Sequence, residues 1–263
     1  SFLGKYIVKE LSKQPDTMIY AIIRPTSRHI EIFRTNPSVT VVVTNMDDVA
    51  TWSDQIGSAD AFIHLGWDGV GAEGRGNMQI QEKNVADAVQ CMKGAATLGC
   101  KTFLFAGSQA EYGPQTQKIT EETPCNPVIN YGKAKWMVCQ QLMEMAEQLN
   151  ITYYHTRIFS VYGTGDHFWT LVNSCIRTLC AGEPMKLSSC MQKWNFLHAE
   201  DAARYICALL KSNAATGIYN IASRDTRILR SFVEQIQQAC GDTGMCLYGS
   251  YDPAEKPVNL IPD

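Results

Sequence analysis

No apolar run in the 263 residues approaches the ~20 that a bilayer-spanning helix needs, so no membrane partner is expected. No charge of one sign dominates either. Lys and Arg number 23 against 26 Asp and Glu, a formal net charge of -3, and no long basic run argues for nucleic acid. The ten cysteines are scattered and contain no CxxC pair. The five histidines do not join them at zinc-finger spacing, so neither a metal site nor a disulfide framework is expected. Thiols inside apolar stretches read as small buried hydrophobes, reduced in a cytoplasmic protein. Repeats, low-complexity segments and a signal peptide are also missing. The chain opens on Ser1, already inside a helical pattern, and closes on Asn259–Asp263 without a natural stop. Residues missing upstream are therefore an expectation.

What is present is 45% hydrophobic and 19% charged, enough core for one large α/β domain or a domain with a small appendage. Short β-branched runs read as strands at Met18 to Ile23, Val39 to Val43, Ala61 to His64, Thr102 to Ala106, Ile151 to Thr156 and Ile218 to Ile221. Amphipathic periods between them read as helices: Gly4 to Leu11, Asp47 to Ile56, Met78 to Leu98, Tyr131 to Gln148, Phe168 to Cys180, Ala199 to Leu210 and Leu229 to Ala239. Apolar strands alternating with helices predict a doubly wound parallel sheet, with ligands at the carboxyl ends of its strands. Strands thin out after about residue 160. The expected division is 1–158 for the sheet domain and 159–263 mainly for a smaller lobe, some of whose segments return to the sheet.

Tyr131-Gly132-Lys133-Ala134-Lys135 opens a helix, and a spacing of four sets Tyr131 and Lys135 one turn apart on one face. A phenol is a poor acid or base at neutral pH, and an adjacent ammonium favours its phenolate. The alternative is a surface lysine beside a half-buried tyrosine. Ser108, just past a strand, is placed to hydrogen-bond a substrate oxygen or simply to cap a turn. Ile158 to Gly163 also follows a strand directly.

Taken together these segments resemble the extended short-chain dehydrogenase/reductases, in their epimerase/dehydratase branch. Ser1-Phe2-Leu3-Gly4 is similar to the end of the glycine-rich phosphate turn. Phe62 to Gly66 resembles the strand end bordering the cofactor. Asn84, Ser108 and the Tyr131/Lys135 pair fall at the branch's matching positions. Arg157 to Gly163 and Trp194 to Ala203 resemble its two later motifs, R-x-x-N-V-Y-G and R-D-F-x-x-V-x-D-x-A.

The resemblance implies a Rossmann fold with a C-terminal substrate-binding lobe. It also implies catalysis by Ser108, Tyr131 and Lys135. Tyr131 would exchange a proton with a sugar oxygen; Lys135 would hold the nicotinamide ribose and lower the tyrosine pKa; Ser108 would position the reacting oxygen. Gly4, Arg24, Ser27, Leu65, Gly66 and Asn84 would join them in binding cofactor. Ser108, Gln109, Phe159, Ser160 and Lys193 would face a nucleotide-diphosphate sugar. The helices Met78 to Leu98 and Tyr131 to Gln148 would pair in a homodimer.

Departures from the pattern refine this reading. Of three phosphate-turn glycines only Gly4 survives. Where NAD users carry an acid after the second strand, Arg24, Ser27 and Arg28 stand here; they favour NADP(H), with NAD as the alternative. Gln109 and Ala110 replace the Asp-Glu pair of 4,6-dehydratases, which argues against dehydration. Ser160 and Trp194 replace an asparagine and an arginine that grip diphosphate; Lys193 or Gln192 would have to compensate. His64 reads as a hydrogen-bonded packing residue rather than a base, and Trp67 as either pocket lining or core. The expected activity is reduction of an NDP-4-keto-6-deoxyhexose. The alternatives are 4-epimerisation of an NDP-sugar and a non-catalytic dinucleotide sensor.

Overall fold

β-Branched stretches form the strands, and α1, α3 and α5 begin where a polar side chain accepts a free backbone N–H. Ser1 accepts from the Gly4 amide, Asp48 from Thr51 and Asn77 from Ile80. The computed structural model describes residues 1–27, 29–251 and 258–263; Arg28, one of the residues favouring a 2′-phosphate, lies outside them. In chain order come α1 (Phe2–Leu11), β1 (Ile19–Ile23), α2 (Ile30–Arg34), β2 (Val39–Val43), α3 (Val49–Ile56), β3 (Ala61–His64), α4 (Ala72–Gly76) and α5 (Met78–Thr97). There follow β4 (Thr102–Ser108), a 3-10 turn (Gln109–Glu111), α6 (Asn130–Leu149), β5 (Thr152–Ile158), β6 (Ser160–Tyr162), α7 (Leu171–Cys180) and β7 (Met185–Leu187). The last are β8 (Lys193–His198), α8 (Ala199–Lys211), β9 (Gly217–Ile221), β10 (Thr226–Ile228), α9 (Leu229–Ala239) and β11 (Cys246–Tyr248).

The chain divides into two compact units. The first comprises Ser1–Gly113, Pro124–Ile158 and Glu200–Ile221; the second comprises Pro114–Thr123, Phe159–Ala199 and Ala222–Asp263. In the first unit every strand pair is parallel: β1 with β2, and β3-β4-β5-β9 in that order. This is the doubly wound α/β fold. The core between strands and helices includes Trp52, Phe103, Phe105, Met92, Leu142 and Tyr153, each fully buried. α5 packs along α6.

The second unit has its own apolar cluster, Cys175, Leu179, Leu187, Cys190, Leu229 and Val233. Its strands are short: β10-β8-β6 form one sheet and β11-β7 another. Three-residue strands and the five-residue helices α2 and α4 are too brief to show periodicity, which is why no pattern in the sequence marks them. Two strand ends also run further than expected. β4 continues through Ser108 and β5 through Ile158, because Gly107 pairs with Arg157 and Ser108 with Ile158. Ser108 is thus the last residue of its strand rather than the first of a loop.

Candidate active site

Ser108 ends β4 with an extended backbone and caps the 3-10 turn. Its hydroxyl accepts from the Ala110 amide at 3.2 Å, and its own amide donates to Glu111 Oε1 at 2.7 Å. The Glu111 carboxylate points inward, fully buried. Alternation along β5 puts Tyr153, His155 and Arg157 on one face. His155 Nε2 lies 3.0 Å from both Glu111 oxygens, Arg157 Nε donates to Oε2 at 2.9 Å, and Tyr153 Oη meets His155 Nδ1 at 2.7 Å. Burial pushes the Glu111 pKa up, but the charge and hydrogen bond of His155, the charge of Arg157 and the Ser108 amide outweigh it and hold the carboxyl below its ordinary value. Gly107 makes room for this network, since a Cβ there would come within 2.6 Å of Glu111 Oε1 and would meet His155 Nε2. Cys139 also lies near the pair, although the carboxylate is already compensated by Arg157. The sequence did carry a signal for the network: polar residues at every second position of a strand that is otherwise buried.

Tyr131 lies in the first turn of α6, and Gly132 lets that turn approach the 3-10 turn closely, where a Cβ would stand 2.5 Å from the Ala110 carbonyl. The first turn of α6 thus brings Tyr131 up to the turn that Ser108 caps. Burial holds the phenol pKa above its ordinary value; Ser108 and the charge of Arg75 reduce the rise, and Glu111 adds to it. Lys135 is buried and one turn on. Its ammonium donates to the Ala106 carbonyl at 2.6 Å and lies 3.7 Å over the Trp67 ring, but 5.8 Å from the Tyr131 ring. Burial lowers its pKa to about 7, against the pull of Glu111.

Trp67 meets Tyr131 edge-to-face at 6.2 Å between centroids and is fixed by its Nε1 donating to Gln81 at 2.9 Å. Its ring also meets Phe105 edge-on at 6.0 Å, so it packs between Tyr131 and the core. Asn84 grips the backbone of Asp68 on both sides, accepting from its N and donating to its O at 2.9 Å each. Its side chain therefore holds the loop after β3. Leu65 and Gly66 begin that loop. A Cβ on Gly4 would stand 3.5 Å from Leu65 Cδ1, and one on Gly66 would stand 2.5 Å from Met46 Sδ. Gly66 is thus required for the close approach of Met46 to the strand end, while Gly4 leaves only ordinary contacts with Leu65 at the start of α1.

Arg24 pairs with Asp68, Nη1 to Oδ1 at 2.5 Å, while the Ser27 hydroxyl accepts from the His29 amide at 3.2 Å. His64 is buried as expected, stacked 5.0 Å from Phe105, but neither ring nitrogen has a hydrogen-bond partner. Burial, helped by the Lys135 charge, lowers its pKa to about 3. Apolar rings on either side leave nothing for it to bond, so it packs as a neutral ring. Gln109 lies in the 3-10 turn beside Ser108.

The remaining substrate candidates belong to the second unit. Phe159 is buried. Ser160 pairs with Phe196 across β6 and β8. Lys193 opens β8, exposed, its amide donating to Asn259 Oδ1 at 2.8 Å.

Residues 1–222 match the family described as "NAD dependent epimerase/dehydratase family", and the chain belongs to it: it is a nicotinamide-dependent enzyme of the extended short-chain dehydrogenase/reductase kind. Over 242 residues, 89% of this chain and 85% of the other, it is 26% identical to dTDP-6-deoxy-L-talose 4-dehydrogenase (NAD(+)) of Aggregatibacter actinomycetemcomitans. A shorter stretch of 88 residues, 33% of this chain and 26% of the other, is 32% identical to UDP-glucose 4-epimerase of Lactobacillus helveticus. Among solved structures, UDP-glucose 4-epimerase of Thermotoga maritima with UDP-glucose superposes with a TM-score of 0.87 at 16% identity, over 100% of this chain and 87% of that one. UDP-glucuronic acid 4-epimerase of Bacillus cereus, in complex with UDP-glucuronic acid and NAD, gives 0.84 at 17%, with 100% and 87% covered.

Proposed function

We propose that the protein is a nucleotide-sugar 4-epimerase that uses NAD and exchanges a proton at the sugar C4 oxygen through Tyr131. The observation that carries this reading is the close approach of the first turn of α6, which bears Tyr131, to the turn capped by Ser108, with Lys135 buried one turn on along the same helix. Tyr131 as phenolate takes the C4 hydroxyl proton while the C4–H bond releases its hydride. Return of hydride to the opposite face, with the proton given back by Tyr131, inverts the centre. Ser108 and Gln109 orient the sugar oxygen, and Lys135 holds the ribose. A bound nicotinamide dinucleotide supplies hydride exchange; Gly4 at the start of α1, Leu65 and Gly66 would hold it, with Asn84 fixing the loop alongside.

Several named relatives and neighbours are 4-epimerases, which favours epimerisation over the reduction that the sequence suggested. The second reading is a 4-dehydrogenase or reductase of an NDP-6-deoxyhexose, favoured by the match that spans 89% of the chain. Dehydration has little support, because Gln109 and Ala110 lack ionisable side chains and Glu111 is sequestered with His155 and Arg157. NAD is favoured over the NADP(H) expected from Arg24, because Asp68 already neutralises that guanidinium and would repel a 2′-phosphate. Phe159, Ser160 and Lys193 remain proposed substrate contacts. A homodimer is proposed through the groove on α5 and α6 lined by Val85, Val89 and Met137.

Incubation with UDP- and dTDP-hexoses tests the reading. Isomerisation at C4 without net change in NADH is expected, and net NADH turnover with no isomer would favour the second reading. Tyr131→Phe should abolish turnover and leave NAD binding intact; unchanged turnover would sink both readings.

A further inference from the structure

The cation nearest the phenol ring is not on the catalytic helix. Arg75 comes from α4, the five-residue helix in the segment after β3, and its Cζ lies 4.5 Å from the Tyr131 ring centroid, closer than Lys135 Nζ at 5.8 Å. Among the described residues no carboxylate pairs with Arg75, and its buried Nε–H has no acceptor. The full guanidinium charge therefore acts on the aromatic ring beneath it. Lys135 is differently committed: its ammonium is spent on the Ala106 carbonyl and the faces of Trp67 and Phe105.

We propose that Arg75 is a positioning residue for catalysis, the permanent cation that stabilises the Tyr131 phenolate and holds the ring against Trp67. The inference rests on Tyr131 being the proton-exchanging group. Among the described residues, the charged and polar groups that act on the phenol come from four elements. Ser108 at the end of β4 and Arg75 of α4 favour its ionisation, Glu111 in the 3-10 turn opposes it, Lys135 of α6 stands 5.8 Å from the ring, and Arg75 covers the ring at 4.5 Å. Of these, Arg75 carries positive charge at any working pH, whereas burial brings Lys135 close to losing its own near neutrality. The short helix is anchored for the purpose. Gln81 of α5 donates to the Gly74 carbonyl at 2.8 Å, and Asn130 of α6 donates to the Gly76 carbonyl at 2.8 Å. Arg75 thus sits between two residues whose backbones are tied to the helices on either side.

The test measures the pKa of Tyr131 directly, without turnover. Phenolate absorbance is titrated in the wild type and in Arg75→Gln, with the Tyr131→Phe signal subtracted from each. Without the guanidinium the Tyr131 pKa should rise by about one unit, the lower end for an opposite charge within contact range. Arg75→Lys, which restores the charge, should recover most of the shift. The acid limb of the kcat/KM profile in the alcohol-oxidising direction should move to higher pH by the same amount. An unchanged titration in Arg75→Gln would overturn the proposal even if turnover fell. Turnover retained by Tyr131→Phe would instead overturn the reading of Tyr131 on which it rests.

Discussion

The Ser108 amide donates to Glu111 Oε1 at 2.7 Å, so the last residue of β4, beside the turn that the Tyr131 helix approaches, is held from behind by a buried carboxylate. That carboxylate also pairs with Arg157 and His155, both buried. The Ser108 hydroxyl is positioned by charge deep in the core rather than by the loop that carries it.

Replacing Glu111 by Gln should therefore cost about 3–5 kcal/mol of stability, the range for breaking a buried ion pair from one side. Chemical unfolding measures it. The folded pKa of Glu111 lies below its unfolded value of 4.5, so its contribution is complete above that pH and is lost as pH falls through the folded pKa. The gap between wild type and variant should narrow on acidification; a gap constant with pH would mean that the charge is not what stabilises the turn.

Lys135 works in the opposite sense. Folding lowers its pKa from 10.5 to about 7, so between those values the unfolded chain binds more protons and stability rises with pH. The penalty is complete below about pH 7. Above about pH 9 the buried thiols of Cys91 and Cys139, pushed up to about 12, reverse the trend because the unfolded thiols ionise first. Lys135→Met should remove a rise of up to about 1.4 kcal/mol per pH unit between pH 7 and 9. Denaturant titrations across that window, taken as wild type minus variant, check the slope.

Asp68→Asn should release Arg24. The pair is exposed and worth about 1 kcal/mol or less, so the preference for NADH over NADPH should weaken by about fivefold rather than invert. Binding constants for the two reduced cofactors decide it. An unchanged ratio would place the 2′-position away from Arg24.

The parallel sheet was legible because Val39 to Val43 and Ala61 to His64 are short, largely apolar runs separated by amphipathic helical periods. The Tyr131/Lys135 pair was legible as a spacing of four, and Ser108 as a residue following a strand. Arg75 was not, since α4 is a single turn of Ala, Glu, Gly and Arg with no apolar stripe, and only the packing of its segment brings it onto Tyr131. The inward direction of Glu111 was not legible, because the bonds that turn it inward come from His155 and Arg157 of β5, whose contact with it no local pattern encodes. The pairing of Arg24 with Asp68 across 44 positions was hidden for the same reason, and with it the case against NADP(H).

The free thiols have a practical consequence. Cys91, Cys100, Cys139 and Cys207 are buried in the first unit, Cys175 and Cys190 in the second, and Cys180 stands exposed. A thiol reagent should label Cys180 at once and the others only as fast as their surroundings open. Peptide-by-peptide labelling rates would then time the opening of each unit separately, with and without NAD, using no residue that the chain does not already carry.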